Sequence, residues 1–165
     1  MQILGIDPGT AIMGYGLIEK QGNRLIPIAY ASWRTPAHIP MSERLLMLYQ
    51  EMQSFIEEHR PGQIAVEELF FNRNTTTAIS VGQARGVILL AAAQAGIPVY
   101  EYTPLQVKQA VVGYGKADKK QVQQMVRALL GLNEIPKPDD TADALAIAIC
   151  HAHSVNLLNR IGGTQ

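Results

Sequence analysis

This 165-residue sequence has almost no cysteine, no excess of either charge and no apolar run as long as a membrane span. The single cysteine, Cys150, excludes a framework of internal disulfides and is typical of proteins from a reducing compartment. The N-terminus lacks the basic stretch and apolar run of a signal peptide, and no apolar run approaches the roughly 20 residues of a membrane span. We therefore expect a cytoplasmic protein with no membrane association.

The apolar residues, 47% of the chain, suffice for the core of one domain of ordinary size. The sequence contains no internal repeat, low-complexity tract or linker. The predicted organisation is a single domain over residues 1–158, followed by a short C-terminal tail over residues 159–165.

The charge balance is zero, with 14 basic and 14 acidic residues, which by itself argues against nonspecific binding to nucleic acid. The balance conceals a basic segment over residues 103–137, where only Asp118 and Glu134 are acidic. Its basic residues are Lys108, Lys116, Lys119, Lys120, Arg127 and Lys137. Two divalent ions bound by acidic residues would add a further charge of about +4.

The first third of the chain has the apolar patterns of strands, predicted over residues 2–7, 13–20 and 24–34. Gly9 and Thr10 form a tight connection after the first strand, and residues 21–23 form a hairpin turn. Pro27 indicates an edge strand or a bulge, because proline cannot donate to a strand ladder.

Helical spacing begins at residues 42–60, with Ser42 as the predicted N-cap and Pro61-Gly62 as the stop. The remaining patterns predict strands over 63–67 and 97–102 and helices over 75–95, 104–112, 118–130 and from about 139 to 158. A hairpin meander followed by alternating helices and strands predicts an α/β fold: a mixed five-stranded sheet flanked by helices.

Three acidic groups stand out by context. Asp7 ends the first strand, Glu67 and Glu68 end the strand at 63–67, and three aspartates open the last helix, at positions 139, 140 and 143. The ends of parallel strands meet at one edge of a sheet, so Asp7 and Glu67 are expected to lie close together. Asp7 alone is also explained by an Asx turn, and one of the helix aspartates by N-capping.

Asp140 and Asp143 are three residues apart and share one helix face beside an apolar, buried segment. Like charges in such a place repel each other unless a cation lies between them. An all-carboxylate set favours hard ions such as Mg²⁺ or Mn²⁺, and paired ions suit phosphoryl transfer. We interpret Cys150, His151 and His153 as structural or surface residues, and find neither a nucleophile triad nor a P-loop.

Five segments in order resemble the RuvC family of Holliday-junction resolvases, over nearly the whole chain: GIDPGT (5–10), AVEELFF (65–71), GQARG (82–86), QVKQAVVGYGKADKKQV (106–122) and DTADALAIAI (140–149). The resemblance implies a ribonuclease H-like fold and a structure-selective endonuclease. Such an enzyme cuts four-way DNA junctions symmetrically in recombination and repair, leaving 5′-phosphate and 3′-hydroxyl ends.

The resemblance also implies the site. It selects Asp7, Glu67, Asp140 and Asp143 as metal-binding catalytic carboxylates, with Glu68 as a neighbour of the site and Asp139 as the helix cap. Asp7 would bridge two Mg²⁺ ions, for which Mn²⁺ can substitute. Glu67 would bind one ion and orient the attacking water, and the two helix aspartates would hold the other ion.

For DNA contacts, the family match selects Phe70 as the aromatic residue that stacks on bases, and Lys108 and Lys119 as backbone contacts. Arg73 and Lys116 are further candidates, although a solvated basic face also explains such charges. The helix at 75–95 carries Gly82 and Gly86, whose size allows close approach of the sheet or of a second subunit. The resemblance implies a homodimer, and partners that comprise a junction-binding protein and a branch-migration helicase.

Three other hypotheses about function remain open from the residues alone. An actin-like ATPase or sugar kinase also begins with a strand, an aspartate and Gly-Thr, but needs two lobes. A ribonuclease H-like enzyme acting on RNA would have nearly the same carboxylates. A junction-binding protein without catalysis would have no need for them.

Overall fold

The computed structural model describes residues 1–69 and 75–161, and within these it forms five strands and five helices. The strands are β1 (Gln2–Asp7), β2 (Ile12–Gln21), β3 (Arg24–Arg34), β4 (Gln63–Glu67) and β5 (Val99–Tyr102). The helices are α1 (Met41–His59), α2 (Thr75–Gln94), α3 (Pro104–Val112), α4 (Lys119–Leu130) and α5 (Asp139–Ile161).

The strands form one mixed sheet in the order β3-β2-β1-β4-β5. The first three strands are an antiparallel meander, and β4 and β5 run parallel to β1. Pro27 lies on the edge strand β3 opposite Ile18, where the β2–β3 register shifts. The predicted mixed five-stranded sheet and the predicted role of Pro27 are both confirmed.

Helices cover both faces of the sheet and enclose two apolar cores. On one face, α1 and α2 pack over a core that includes Leu4, Ile6, Ile64 and Val66. On the other face, α3, α4 and α5 pack over a core that includes Ala65. Side chains alternate between the two faces along each strand, so position within β1 or β4 determines which helices a residue meets.

The sheet accepts α5 closely because glycines lie beneath it. A Cβ atom on Gly5 would stand 2.1 Å from the carbonyl oxygen of Ala144, and one on Gly14 would stand 1.9 Å from that of Asp140. Gly16 likewise leaves room for the side chain of Leu145. The N-terminal half of α5 therefore packs directly on β1 and β2.

Some predicted boundaries are wrong. Ser42 is not the N-cap of α1, because the helix already begins at Met41, and Pro40 occupies the cap position without a side-chain cap bond. Strand β5 begins at Val99 rather than at residue 97, directly after Pro98. Helix α5 continues to Ile161, past the predicted end near residue 158.

Among the described residues, one segment, Thr76–Gln94 of α2, is long and apolar enough to cross a membrane by length and composition. The expectation that no run reaches this length is therefore wrong by length and composition. Length and composition alone do not separate such a segment from a helix that packs on a sheet, and Ala84, Ile88 and Ala92 of α2 are buried in the core.

Candidate active site

Asp7 is the last residue of β1 and is paired with Gly14 of β2. The chain leaves the strand through Pro8-Gly9, and a Cβ atom on Gly9 would lie 2.2 Å from the carbonyl oxygen of Ile12. The turn is tight, as predicted, but Gly9 does not have a positive φ. Glycine is required there for space, since the returning strand leaves no room for a side chain.

A network of hydrogen bonds, which the sequence did not predict, connects this turn to α1 and α2. The buried Thr10 Oγ1 hydrogen-bonds Ser80 Oγ of α2 at 2.8 Å. The Thr35 hydroxyl donates to the Thr10 carbonyl, and Arg44 Nε of α1 donates to that hydroxyl at 2.8 Å. Threonine, serine and arginine at these distant positions gave no pattern by which the network could have been found.

The fold brings the four predicted carboxylates to one edge of the sheet. Glu67 ends β4, which lies beside β1, and Asp140 and Asp143 lie in the first turns of α5. Asp7 is affected by the charges of all three of the others. The site thus draws on two strand ends and one helix, as the topology predicts.

Burial and the charges of neighbouring carboxylates raise the pKa of three of them, Asp7, Glu67 and Asp143. Burial raises the pKa of Asp7 to about 8, with further contributions from the charges of Asp143, Glu67 and Asp140. Burial first, and then the charge of Asp143, raises the pKa of Glu67. Burial also raises the pKa of Asp143, against the opposing effect of Lys119. Such an assembly is unfavourable unless positive charge compensates it.

The donor set fits a hard divalent cation. Among residues 1–69 and 75–161, no three His, Cys, Asp or Glu side chains stand close enough together to hold an ion between them. The available donors are nevertheless carboxylate oxygens that raise one another's pKa, and a divalent cation would remove that repulsion. The chemistry of the site therefore matches Mg²⁺ or Mn²⁺ better than a softer metal.

Two of the predicted lysines face the carboxylates. Lys119, the first residue of α4, lies with Nζ 3.0 Å from Asp139 Oδ2 and 3.6 Å from Asp143 Oδ2. Lys108 of α3 is close enough to Glu67 that its charge opposes the rise in that carboxyl's pKa. Capping boxes at Thr103 and Asp118 fix the starts of α3 and α4 and so the placement of both lysines.

A cavity of about 240 Å³ is lined by both lysines and by two of the carboxylates, Glu67 and Asp143. The rest of its lining is apolar and includes Val107, Val122 and Ile147. The arrangement combines negative groups that attract a cation with positive groups that attract a phosphate.

Asp139 does not have the predicted role of helix cap. It is the first residue of α5, and its carboxylate binds side chains of α4: Lys119, and Gln123 Nε2 at 3.0 Å. The hydrogen bond from Lys119, followed by that residue's charge, lowers the pKa of Asp139. Asp139 thus ties α4 to α5, a role that depends on tertiary contact and is invisible in the sequence.

The remaining predicted residues are spread over the chain. Phe70 and Arg73 lie outside the described residues. Lys116 is exposed in the loop between α3 and α4. Cys150 and His151 are buried, and His151 bonds Tyr102 and Gln63 in the core.

The mixed sheet, the carboxylates at its strand ends and the facing lysines define the class of ribonuclease H-like nucleases. A family model for the crossover junction endodeoxyribonuclease RuvC matches residues 3–151. The chain belongs to that family, and its resemblance to the family and the fold that this implied are both confirmed.

Individual relatives agree. The crossover junction endodeoxyribonuclease RuvC of Desulfitobacterium hafniense is 83% identical, over 99% of both chains. That of Heliobacterium modesticaldum is 68% identical, over 94% of this chain and 96% of its own. The structure of Thermus thermophilus RuvC in complex with Holliday junction substrate has a TM-score of 0.91 and 41% identity, covering 95% of this chain and 96% of that chain.

Proposed function

We propose that this chain resolves four-way DNA junctions by paired, symmetric, metal-dependent phosphodiester hydrolysis in recombination and repair. The observation that carries the proposal is the set of buried, mutually repelling carboxylates at the ends of β1 and β4, two of which line a cavity together with two lysines. The similarity to a T. thermophilus relative in complex with a Holliday junction supports the choice of substrate.

Asp7, Glu67, Asp140 and Asp143 are the residues that would hold the metal, which we propose to be two Mg²⁺ ions, with Mn²⁺ as a substitute. When bound, such ions supply the positive charge that activates water and stabilises the leaving oxygen. Asp7 is central because its pKa responds to all three of the other carboxylates. Glu67, which faces the cavity, is suited to accept a hydrogen bond from the attacking water.

Lys108 and Lys119 would bind the phosphates of the strand to be cut. Both line the cavity beside the carboxylates, so they attract the DNA backbone to the point of hydrolysis. Cleavage there would leave a 5′-phosphate and a 3′-hydroxyl. Lys116 is exposed in the loop between α3 and α4, between these two lysines in sequence, where it would contact more of the DNA backbone.

Phe70 and Arg73, in the segment after β4, would contact the junction centre. Their sequence position supports this role, because both follow closely in the chain after Glu67, the proposed metal ligand that ends β4. We expect Phe70→Ala to reduce cleavage more than stability. A loss of about 3–5 kcal/mol in stability would instead indicate a core residue.

We also propose that the chain acts as a homodimer through an apolar face of α2. Ile79, Gly86, Leu90 and Ala93 are exposed on this helix at intervals of seven, four and three residues, the spacing of one seam. Leu90 is 54% exposed and Ile79 is 63% exposed, which is costly for a lone subunit in water. A two-fold dimer would bring two sites to the two-fold symmetric junction.

A cytoplasmic location, a junction-binding protein and a branch-migration helicase complete the proposal. They rest on membership of the RuvC family.

The test compares three substrates in Mg²⁺: a synthetic four-way junction, the linear duplex and an RNA–DNA hybrid. We expect symmetric nicking of the junction alone, and an Asp7→Asn variant that binds the junction without cutting it. Equal cleavage of linear duplex, or full activity of Asp7→Asn, would overturn the proposal. Preferential cleavage of the hybrid would indicate an enzyme that acts on RNA.

A further inference from the structure

The segment GQARG, residues 82–86, lies in α2 above the end of β4. A Cβ atom on Gly82 would stand 3.6 Å from Leu69 Cδ2, an ordinary contact, so this part of the helix covers the residues that follow Glu67. Gly86, one turn later, is exposed and has no neighbour within 4 Å of its would-be Cβ. Arg85, between them, has a side chain that is only 15% exposed.

Arg85 makes two contacts with the strand ends. Its Nη2 forms an ion pair with Glu101 of β5. Its Nη1 donates a hydrogen bond of 3.4 Å to the backbone carbonyl of Glu67. The guanidinium of Arg85 is rigid and thus connects Glu101 on β5 with Glu67, the proposed metal ligand on β4.

Glu67 needs such support because the β1–β4 ladder ends before it. The last pair of that ladder is Ile6 with Val66. On the other side, β5 still holds this end of β4, since Glu68 N donates to the Tyr102 carbonyl at 2.8 Å. Arg85 adds a contact to Glu67 itself, beyond the last pair with β1.

The carboxylate of Glu67 and the guanidinium of Arg85 lie on opposite faces of the sheet. Val66 belongs to the core under α1 and α2, and Ala65 to the core under α5. By alternation, the Glu67 side chain is on the α5 face, where the charges of Asp143 and Lys108 affect it. Arg85 reaches Glu67 from α2 and contacts only its backbone.

We propose that Arg85 is a positioning residue, which holds the Glu67 backbone so that its carboxylate points at the reaction site, and that Glu101 orients Arg85. The inference rests on the proposed role of Glu67 and deepens it. Arg85 touches neither DNA nor the metal in this role. Its removal would leave the ligands in place but let the end of β4 move.

The test uses Arg85→Met, which keeps the aliphatic stem and removes the guanidinium. We expect junction cleavage at saturating substrate to fall by about ten- to a hundredfold, because small misplacements of a catalytic group cost that much. Junction Kd should stay within about twofold, since the DNA contacts are untouched. In addition, the Glu68 amide should exchange its hydrogen faster, and more Mn²⁺ should be needed for half-maximal thermal stabilisation.

Arg127→Met is the matched control, because Arg127 Nε also donates to a backbone carbonyl, that of Leu132 at 3.3 Å, away from the carboxylates. It should change none of the four measurements. Glu101→Gln should give an intermediate effect, since Arg85 keeps its guanidinium but loses its ionic partner. If Arg85→Met does not fold, Arg85→Lys replaces it. The same losses are expected, because one ammonium group cannot contact both Glu101 and the Glu67 carbonyl as the guanidinium does.

Two outcomes would overturn the inference. A weaker junction Kd with unchanged turnover would make Arg85 a DNA contact. Unchanged Glu68 exchange and Mn²⁺ response, with activity reduced only by the unfolded fraction, would make it a stabilising ion pair. The exchange and Mn²⁺ measurements need no cleavage, so they test Arg85 even if the wild-type chain fails to cut junctions and the proposed function falls.

Discussion

Lys119 and Asp143 meet across two helices, with Nζ 3.6 Å from Oδ2, and the same Nζ lies 3.0 Å from Asp139. One ammonium thus lies between a carboxylate that anchors α4 to α5 and a carboxylate of the proposed metal site. Its charge also opposes the rise in the pKa of Asp7. Lys119 therefore lowers the electrostatic cost of ionising Asp7 and Asp143.

Lys119→Met should separate these roles from stability. We expect cleavage to fall by at least about tenfold, because a positive charge at the reacting phosphate is lost. The melting temperature should change by no more than about 4 °C, since an exposed ion pair contributes about 0–1 kcal/mol. Lys120→Met, at the neighbouring exposed position, is the control and should stay close to wild type. Equal losses in both variants would mean that only general basic charge matters.

Gly14→Ala should damage the site through packing. The added Cβ would stand 1.9 Å from the Asp140 carbonyl oxygen and 2.3 Å from its carbon, so the start of α5 has to move. We expect a loss of about 3 kcal/mol in unfolding free energy, together with loss of cleavage. Denaturant titration measures the first. Gly62→Ala, where the nearest atom would be at 3.6 Å, is the control. Wild-type stability in Gly14→Ala would contradict the close approach.

His151 should make stability depend on pH. It is fully buried between Tyr102 and Gln63 and packs against Tyr100, and burial, with a smaller effect of the Lys20 charge, lowers its pKa from 6.5 to about 4. At this side chain the unfolded state therefore binds more protons between these pH values, so the contribution of His151 to stability falls as pH decreases from 6.5 to 4.

The expected loss from this group is at most about 3 kcal/mol, the equivalent of the difference between the two pKa values. Chemical denaturation of wild type and His151→Gln across this range checks the expectation, and the variant should lack this part of the slope. His38→Gln, at an exposed position between β3 and α1, should keep the wild-type slope. An unchanged slope in His151→Gln would show that other groups cause it.

Leu90→Glu should convert the proposed dimer to monomers. The charge would fall in the middle of the exposed apolar face of α2, where a second subunit would bury it unpaired. Sedimentation velocity at several concentrations measures the change. Leu105→Glu is matched in exposure, at 59% against 54%, and lies on α3, so it should stay dimeric. A wild-type chain that is monomeric at micromolar concentration would contradict the proposed interface.

The sequence predicted the elements well because their periodicities are strong. The bounds of β1, β3, β4 and α3 match the predicted ones, and those of β2, α1, α2 and α4 differ from them by one residue at one or both ends. The prediction of Ser42 as N-cap was wrong because serine is favoured at that position, yet the helix already begins at Met41, with Pro40 in the cap position. Local preference could not distinguish the two.

The convergence of the carboxylates was predictable from topology, whereas the means that bring them together were not. A glycine in a strand indicates a bulge, a turn or a close approach, and Gly14 proved to be the last of these only when α5 lay against it. Likewise, the Arg85–Glu67 and Lys119–Asp139 contacts join residues 18 and 20 positions apart in different elements. No periodicity links such pairs.

The close packing of α5 on Gly5 and Gly14 has a consequence for biosynthesis. Asp7 leaves the ribosome more than a hundred residues before Asp143, and the two meet only once α5 has docked on β1 and β2. A nascent or truncated chain can thus carry a finished sheet and still lack half of its acidic groups. The four carboxylates can therefore come together only after the last helix has been made and has packed on the sheet.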